Sequence, residues 1–308
     1  MRKIQPQPKV SVIIPTQNRK NSLNQTLKSL FKMNYPRKKL EVVVIDNGSK
    51  DQTGDFVRLS FPEVKLIQNN HNIGFAPALN LGIKQSNGRY VLITNDDVLF
   101  DKESLSELVK IIEKDKTIGI VGGKMLLSDK KTMALPGFRV NLWLGYHPYD
   151  FSNSDMAREM DVATGGCMLV RKSIFKKIGF YDEGFFFCGE DYDLCLRAKK
   201  AGFKIFYSPT ATIYHKLLSA SKKTDNFDQL FAHYRGKFRF MLIHGSIPQI
   251  FVFFLLQLFI GPLFTYFQSK QKTLLPMLAG IFWNIHHLKG ALDSRTKVKL
   301  LTKNYGYK

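Results

Sequence analysis

The chain has 308 residues, enough for one large domain or two ordinary ones with a sizeable core. Its 44% hydrophobic and 23% charged residues exclude collagen, a coiled coil and bulk disorder. The 46 Lys and Arg against 25 Asp and Glu give a net charge of +21, which implies an anionic partner: a nucleic acid, a phosphorylated substrate or an acidic membrane surface.

Four short apolar runs in the first third of the chain have the composition of buried strands. They cover residues 10–14, 40–45, 64–68 and 90–94, and helical spacing of apolar side chains predicts helices over 22–34 and within 74–86. We expect Pro15 to end the first strand and Ser22 to cap the first helix. Strands that alternate with helices predict an open α/β sheet.

The second half of the chain is less regular. We expect a bent strand over 118–127, loops over 128–160, a strand after the turn 164–166, a helix from Glu190 to Gly202, and short strands over 203–207 and 212–214. The three cysteines, Cys167, Cys188 and Cys195, cannot pair completely and form no metal-binding doublet, which indicates a reducing compartment. The N-terminal residues lack an apolar stretch, so we expect no signal peptide.

Polar clusters follow two of the predicted strands. Asp46 opens the turn Asp46-Asn47-Gly48-Ser49, and Asn95-Asp96-Asp97 follows the fourth strand. Ligands of open α/β sheets bind beyond the carboxyl ends of the strands, where carboxylates can contact a ribose or base, or hold Mg²⁺ with substrate phosphates. A structural role also fits each cluster alone: an Asx turn at Asp46, and a helix cap at residues 95–97.

A third acidic cluster, Glu190-Asp191 with Asp193, begins the predicted helix in the second half. Paired carboxylates there could supply a general base, but taken alone the cluster fits N-terminal capping of the helix by acids better. His215 follows the last predicted strand. A lone histidine in that position is usually structural, and it can ligate a metal only where carboxylates lie nearby.

Five segments taken together resemble glycosyltransferase family 2, and most closely its rhamnosyltransferase-like bacterial members. They are VSVIIPTQNR, VVVIDNGSKDQT, NIGFAPALNLGIKQSNGRYVLITNDD, TGGCMLVRKSIFKKIGFYDEGFFFCGEDYDLCLRAKKAG and IYH. The resemblance spans roughly residues 9–216 and is specific because the motifs recur in order with compatible spacing. It implies a GT-A fold, with an open, mostly parallel sheet flanked by helices, a nucleoside-diphosphate sugar donor and inverting transfer.

The resemblance implies donor-binding roles for several positions. Pro15 and Thr16 match the first nucleotide-binding loop, and Asp46 matches the carboxylate that contacts the nucleotide base. Gly165 and Gly166 are expected to let the backbone approach donor and acceptor closely.

The resemblance also implies a metal site and a catalytic pair. Asn95-Asp96-Asp97 matches the D-x-D motif, with Asp96 on the donor sugar or ribose. Asp97 and His215 match the ligands of Mg²⁺ or Mn²⁺, and Asn95 replaces the first acid, which removes one charge from the site. Glu190-Asp191 matches the E-D pair, with Asp191 as the expected base and Glu190 as the second choice.

This chemistry is consistent with simple requirements of sugar transfer. A nucleoside diphosphate leaves with developing negative charge, which a divalent cation bridging the phosphates stabilises. The acceptor hydroxyl is a poor nucleophile and needs a base on the opposite face of the sugar. A single displacement of this kind inverts the anomeric centre.

The last third of the chain combines basic and apolar character. Residues 216–308 hold 14 Lys and Arg against three Asp and Glu, and contain the uncharged run 240–269. This pattern favours a membrane over DNA. Residues 247–267 could form one transmembrane helix, amphipathic helices in the interface, or helices packed on the catalytic domain; Pro248, Gln257 and Pro262 favour shallow insertion.

Three basic clusters are expected to face anionic lipid: Lys222-Lys223, Arg235-Lys237-Arg239 and Arg295-Lys297-Lys299. Charge alone further suggests that the second cluster meets the pyrophosphate of a lipid-linked acceptor.

The sequence therefore predicts an N-terminal tail (1–8), a GT-A catalytic domain (9–218) and a basic, apolar helical region that associates with membranes (219–308). The expected protein is an inverting glycosyltransferase on the cytoplasmic face of the cell membrane, peripheral, monotopic or single-pass. It moves a sugar, with rhamnose the first choice by resemblance, to a lipid-linked or growing cell-surface polysaccharide acceptor. A non-catalytic nucleotide-sugar or glycan-binding protein is the alternative, and nucleic acid is not an expected partner because no basic helix or RNA-binding signature is found.

Overall fold

The computed structural model describes residues 7–127, 129, 131–135, 139–145, 155–215, 227–260 and 273–305. The strands are β1 (Val10–Thr16), β2 (Leu40–Asn47), β3 (Lys65–Asn69), β4 (Tyr90–Thr94), β5 (Val98–Phe100), β6 (Ile118–Leu127), β7 (Met133–Leu135), β8 (Arg158–Glu159), β9 (Cys167–Arg171) and β10 (Lys204–His215). The helices are α1 (Lys20–Leu30), α2 (Thr53–Ser60), α3 (Phe75–Gln85), α4 (Ser104–Ile112), α5 (Phe175–Ile178), α6 (Glu190–Lys200), α7 (Phe227–His244), α8 (Ile247–Phe259), α9 (Leu274–His286) and α10 (Leu288–Tyr305).

One sheet joins these strands in the order β3-β2-β1-β4-β9-β6-β10-β5, with β7 on β6 and β8 on β10. The first four strands in that order are parallel, as predicted. Strand β9 runs antiparallel to both β4 and β6, and β10 is parallel to β6 but antiparallel to β5. The sheet is thus mixed, and the expected mostly parallel arrangement holds only for its first half. There a helix follows each of β1, β2 and β3 and makes the crossover that parallel strands need.

Some element boundaries differ from those expected. Strand β1 does not end at Pro15 as expected but continues to Thr16 beside β2. Proline, which has no backbone N–H to donate, is tolerated there because the pairing of β1 with β4 ends at Ile13. Helix α1 begins at Lys20 rather than after Ser22, and the carboxylate of Asp51 accepts a hydrogen bond from the Lys20 backbone N–H at 3.2 Å. The strands expected over 203–207 and 212–214 form the single strand β10, interrupted by a register shift.

The sheet is covered on both faces, which explains why its first strands are apolar without alternation. Val12 and Ile14 of β1 belong to a core with α1 and α4, while Ile13 belongs to a second core with α3, α6 and the C-terminal helices. All three cysteines are free thiols, in line with the absence of a predicted disulfide framework.

The C-terminal helices pack on the sheet and its helices through buried polar contacts with α6 and the loop before it. Asp193 of α6 lies 2.9 Å from Nε2 of His244 and 2.7 Å from Nη2 of Arg197. Burial alone would raise the pKa of Asp193, but Arg197 and His244 lower it well below its usual value. Arg239 of α7 binds both carboxylate oxygens of Asp182 at 2.8 and 2.9 Å.

Three predicted features of the last third of the chain fall wholly or partly outside the described residues. The expected boundary between residues 218 and 219, Lys222-Lys223, and the end of the apolar run 247–267 lie outside the described residues. Across the ranges that are described, no helix has the combination of length and hydrophobicity needed to cross a bilayer. Arg239 and Arg295 do not face outward as expected, because Arg239 binds Asp182 and Arg295 donates to the carbonyl oxygens of Leu242 and Gly245.

We expect Arg239→Met to destabilise the fold by about 3 kcal/mol, because it leaves the Asp182 carboxylate largely buried without its cation. Urea denaturation followed by circular dichroism would measure the change. Arg58→Met is the matched control: Arg58 pairs with Asp55 on the surface, and its loss should cost at most about 0.5 kcal/mol. Equal effects of the two substitutions would contradict the assigned role of the Arg239 pair.

Candidate active site

The carboxyl ends of β1, β2 and β4 bring the predicted donor-binding residues to one edge of the sheet. Thr16 ends β1, Asp46 lies near the end of β2, and Asp96 and Asp97 follow β4. Thr16 Oγ1 donates to Asp96 Oδ2 at 2.6 Å. Asp96 and Asp97 do not cap a helix, since α4 begins only at Ser104. The structural alternative considered for residues 95–97 is therefore wrong.

Arg19 is a site residue to which the sequence analysis assigned no role. Its Nη1 lies 2.8 Å from Asp97 Oδ2 and 3.4 Å from Asp96 Oδ1. Burial raises the pKa of Asp96 to about 6, although Thr16 and Arg19 both lower it. The only signal in the sequence was the position of Arg19 within the segment VSVIIPTQNR, because its partners lie more than seventy residues away along the chain.

The pairing of strands β5 and β10 places His215 next to Asp97. Strand β10 runs antiparallel to β5 with His215 opposite Val98, the residue after Asp97. His215 Nε2 consequently lies 3.3 Å from Asp97 Oδ1, a buried oxygen that accepts no hydrogen bond from the described residues. Burial lowers the pKa of His215, although Asp97 raises it, so the imidazole is neutral near pH 7 and can act as a ligand.

This pair fits a divalent cation. A neutral imidazole and an unpartnered carboxylate oxygen are donors that such ions bind. Within the described part of the chain, no group of three or more His, Cys, Asp or Glu side chains is arranged to hold a metal. Asp97 and His215 would thus supply two ligands, and phosphates and water would complete the shell, as is usual for Mg²⁺.

Gly165 and Asp191 are in direct contact. The Gly165 backbone N–H donates to Asp191 Oδ2 at 2.7 Å, and a Cβ on Gly165 would lie 2.8 Å from that oxygen. A side chain at this position would have to displace the carboxylate of the predicted base. At Gly166 a Cβ would lie 2.1 Å from Met125 Cε, and Asn95 Nδ2 is 3.9 Å away, so this turn also borders the segment Asn95-Asp96-Asp97.

Glu190 and Asp191 begin α6 but do not cap it. The capping position is Gly189, and no side chain makes a capping hydrogen bond there. Burial raises the pKa of both carboxyls, and the negative charge of Asp191 raises that of Glu190 further. Asp191 Oδ1 and Glu190 Oε2 are buried without a hydrogen-bond partner among the described residues. Carboxyls with raised pKa and free oxygens have the properties of a general base.

Asp46 accepts a local backbone hydrogen bond within its turn, a structural role close to the Asx turn considered for it. Its Oδ1 accepts from the Ser49 backbone N–H at 2.9 Å, while Oδ2 has only a long contact of 3.4 Å with Gln68 Nε2. The turn and a donor contact through Oδ2 are compatible. The neighbouring Asn47, also missed from the sequence, binds Gly74 O and the Ile73 N–H and so fixes the loop before α3.

Comparison with known proteins supports one family. Residues 11–179, more than half of the chain, match the family model described as glycosyl transferase family 2. The chain belongs to glycosyltransferase family 2.

Curated relatives of this family 2 member include a probable glycosyltransferase, YdaM, of Bacillus subtilis, 29% identical over 68% of this chain and 51% of that protein. The N-acetylglucosaminyl-diphospho-decaprenol L-rhamnosyltransferase of Mycobacterium tuberculosis is 26% identical over 66% of this chain and 74% of that protein. The chain spans about half, or less, of the length of the first relatives it matches.

Solved structures show that the fold is GT-A, as expected. GalNAc-T7 with UDP, GalNAc and Mn²⁺ aligns with a TM-score of 0.62 at 18% identity, over 86% of this chain and 59% of that one. The mannosyltransferase PcManGT of Pyrobaculum calidifontis with GDP-Man and Mn²⁺ aligns with a TM-score of 0.59 at 18% identity, over 98% of this chain and 88% of that one. S. aureus TarS 1-349 with UDP-GlcNAc also aligns with a TM-score of 0.59 at 18% identity, over 96% of this chain and 91% of that one.

We expect Glu190→Gln to stabilise the protein at pH 8 more than at pH 5. Folding raises the pKa of Glu190, whereas in the unfolded chain this pKa keeps its ordinary value of about 4.3. As the pH rises above that value, ionisation of Glu190 in the unfolded chain increasingly favours unfolding. The neutral amide removes that penalty. Melting temperatures at both pH values would measure it, with the exposed Glu63→Gln as control. A pH-independent difference would contradict the raised pKa.

Proposed function

We propose that this chain is a metal-assisted, inverting glycosyltransferase that uses a nucleoside-diphosphate sugar. The observation that carries this proposal is the grouping at one sheet edge of two different carboxyl sites. Asp97 and His215 offer ligands for a divalent cation, and Asp191, held by Gly165, offers a buried base with a raised pKa. A non-catalytic binding protein would have no need for the second site.

Each group has a distinct part in the transfer. Asp97 and His215 would hold Mg²⁺ or Mn²⁺, which when bound offsets the charge of the departing diphosphate. Thr16 and Arg19 orient Asp96, so that it can hydrogen-bond the donor sugar or ribose. Asp191 accepts the proton of the acceptor hydroxyl. The hydroxyl oxygen attacks the anomeric carbon from the face opposite the diphosphate, and this attack inverts the configuration of that carbon.

The acceptor is proposed to be lipid-linked or a growing cell-surface polysaccharide, and rhamnose is the first choice of sugar. Both proposals draw on the M. tuberculosis relative, whose name specifies a diphospho-decaprenol acceptor and L-rhamnosyl transfer. A relative of Myxococcus xanthus is named an O-antigen biosynthesis protein. Such an acceptor would place the enzyme on the cytoplasmic face of the cell membrane, where nucleotide sugars are made.

Helices α8 and α9 supply a surface for that location. Large apolar side chains are exposed along one stripe of each helix, at the helical spacing of an interfacial element. They are Ile247, Phe251, Leu255, Leu258 and Phe259 on α8, and Leu275, Leu278, Phe282 and Ile285 on α9. Lys297 and Lys299 of the neighbouring α10 are exposed and can attract anionic headgroups. We propose shallow insertion of this surface.

A donor screen tests the transferase proposal. Purified protein in detergent, with Mn²⁺ or Mg²⁺, would be given dTDP-, UDP- and GDP-sugars, and release of nucleoside diphosphate would be measured. We expect one class of donor to be turned over. Asp97→Ala and Asp191→Asn should each reduce turnover at least about a hundredfold, the usual scale of a catalytic acid–base group, without lowering the melting temperature.

The control for this screen is Asp55→Asn, which changes an exposed carboxylate paired with Arg58. It should retain full activity. Undiminished turnover by Asp191→Asn would remove the base assignment, and turnover that persists in EDTA would remove the metal from the proposal.

Vesicle flotation tests the membrane proposal. We expect the protein to float with phosphatidylglycerol vesicles, and Phe251→Asp with Phe282→Asp to reduce the bound fraction at least about tenfold, because each substitution removes an exposed apolar anchor. Leu59→Asp is the matched control, since Leu59 is 83% exposed on α2 in the catalytic part. Equal binding by the double variant and the control would contradict the proposed surface.

A further inference from the structure

The basic cluster of α7 is divided by its surroundings. Arg239 is bound to Asp182, and Lys237 lies against Phe253 and 3.4 Å from Gln257 Oε1. The guanidinium of Arg235 instead lies among three aromatic rings, and its buried Nη2 has no hydrogen-bond partner among the described residues. Arg239 Nε is also buried without a partner among the described residues, but the Asp182 carboxylate already neutralises that guanidinium. Of the three cations that the sequence suggested for an acceptor pyrophosphate, Arg235 is therefore the better placed to bind an anion.

The rings around Arg235 come from three separate elements. Its Cζ lies 4.8 Å from the ring centre of Trp283 on α9, 5.3 Å from that of Phe186 before α6, and 5.6 Å from that of Phe231 on α7. Ring faces stabilise the cation but do not use its N–H groups. A planar guanidinium with unused N–H donors is suited to paired hydrogen bonds with a phosphate.

Close backbone packing holds the helix that carries Arg235 against the segment before Glu190. A Cβ on Gly236 would lie 2.1 Å from the Cys188 carbonyl oxygen, so α7 lies against the loop that leads into Glu190. The positive charge of Arg235 lowers the pKa of Glu190 and of Cys188, although burial raises both more strongly. Asn284 of α9 also donates to the Arg235 carbonyl oxygen at 3.0 Å.

The same cage adjoins the apolar surface of α9. Trp283 lies between Phe282 and Asn284, and Phe282 and Ile285 are 64% and 62% exposed. Arg235 therefore interacts with Glu190 of the catalytic pair and with Trp283 of α9, the helix that also carries the exposed Phe282 and Ile285. A lipid-linked glycan has this order of parts: sugar, phosphate and hydrocarbon.

We propose that Arg235, with Phe186, Phe231 and Trp283, forms the subsite for the phosphate or diphosphate of a polyprenyl-linked acceptor. This inference rests on the proposed transferase function and assigns its acceptor class to a specific place. In that arrangement, the sugar points to Asp191 and the first isoprene units lie along α9.

Binding of farnesyl diphosphate and of farnesol to the full chain in detergent tests the subsite. Calorimetry in EDTA removes metal-dependent binding at the donor site. We expect the diphosphate to bind at least about tenfold tighter than the alcohol, and Arg235→Gln to remove that preference while leaving farnesol binding unchanged. Lys303→Gln, which removes an exposed charge at the end of α10, should keep the preference.

Several outcomes would overturn the subsite. They are the absence of a diphosphate preference in the unchanged protein, undiminished binding by Arg235→Gln, and displacement of farnesyl diphosphate by saturating UDP, dTDP and GDP, which would locate it in the donor site. Displacement by phosphatidylglycerol in the micelles would indicate a headgroup site instead. If Arg235→Gln does not fold, Arg235→Lys, which keeps the charge and loses the planar fork, should still weaken the diphosphate binding.

The result is separable from that of the donor screen. If Arg235 is only the counter-ion of Glu190, Arg235→Gln will change the pH profile of donor turnover and leave farnesyl diphosphate binding intact, which also overturns the proposal. If donor turnover fails with every sugar while the diphosphate preference persists, the fault lies with the transferase proposal and not with the subsite.

Discussion

The burial of four carboxyl groups at one sheet edge is the constraint on which the site depends. Asp96, Asp97 and Glu190 are at most 6% exposed, and Asp191 has a buried oxygen without a partner. Carboxylates removed from water are costly unless cations or hydrogen bonds compensate them. The chain compensates them only in part, which leaves charge and hydrogen-bonding capacity for a substrate.

The partial compensation differs between the two halves of the site. Arg19 contacts both Asp96 and Asp97, and Thr16 donates to Asp96, while Asp191 receives one backbone N–H from Gly165. Two residues along α6, Asp193 has the opposite environment, with Arg197 and His244 both paired to it. The same helix therefore carries one fully paired acid that joins it to α7 and another that is kept available for chemistry.

Much of this site was predictable because its signals are local. Asp46 and Asp97 follow short apolar strands, and the order of parallel strands brings such ends together. His215 was assigned by resemblance, but its place beside Asp97 follows from the antiparallel register of β5 and β10, and β5 itself was not predicted. The short strand Val98–Phe100 has too few residues to show a periodicity.

What could not be predicted depends on distant surroundings. Arg235 and Arg239 are four residues apart on one helix, yet one lies among aromatic rings and the other binds Asp182. Charge counting treats them as equivalent members of a basic cluster, and the expected lipid-facing role failed for Arg239 for that reason. Likewise, the capping of α1 by Asp51 and the pairing of Arg19 with two acids require the folded loops.

The neutral Asn95 gains a physical meaning from Arg19. With the first acid of the motif absent, the negative charge facing a cation comes from Asp97 and Asp96, and Arg19 already contacts both. Protein ligands alone thus offer a divalent ion little net charge. The diphosphate of a donor would supply most of what is missing, and it could also accept hydrogen bonds from Arg19, whose side chain is 43% exposed. In the proposed transferase, a cation and a donor diphosphate would therefore each lower the electrostatic cost of binding the other.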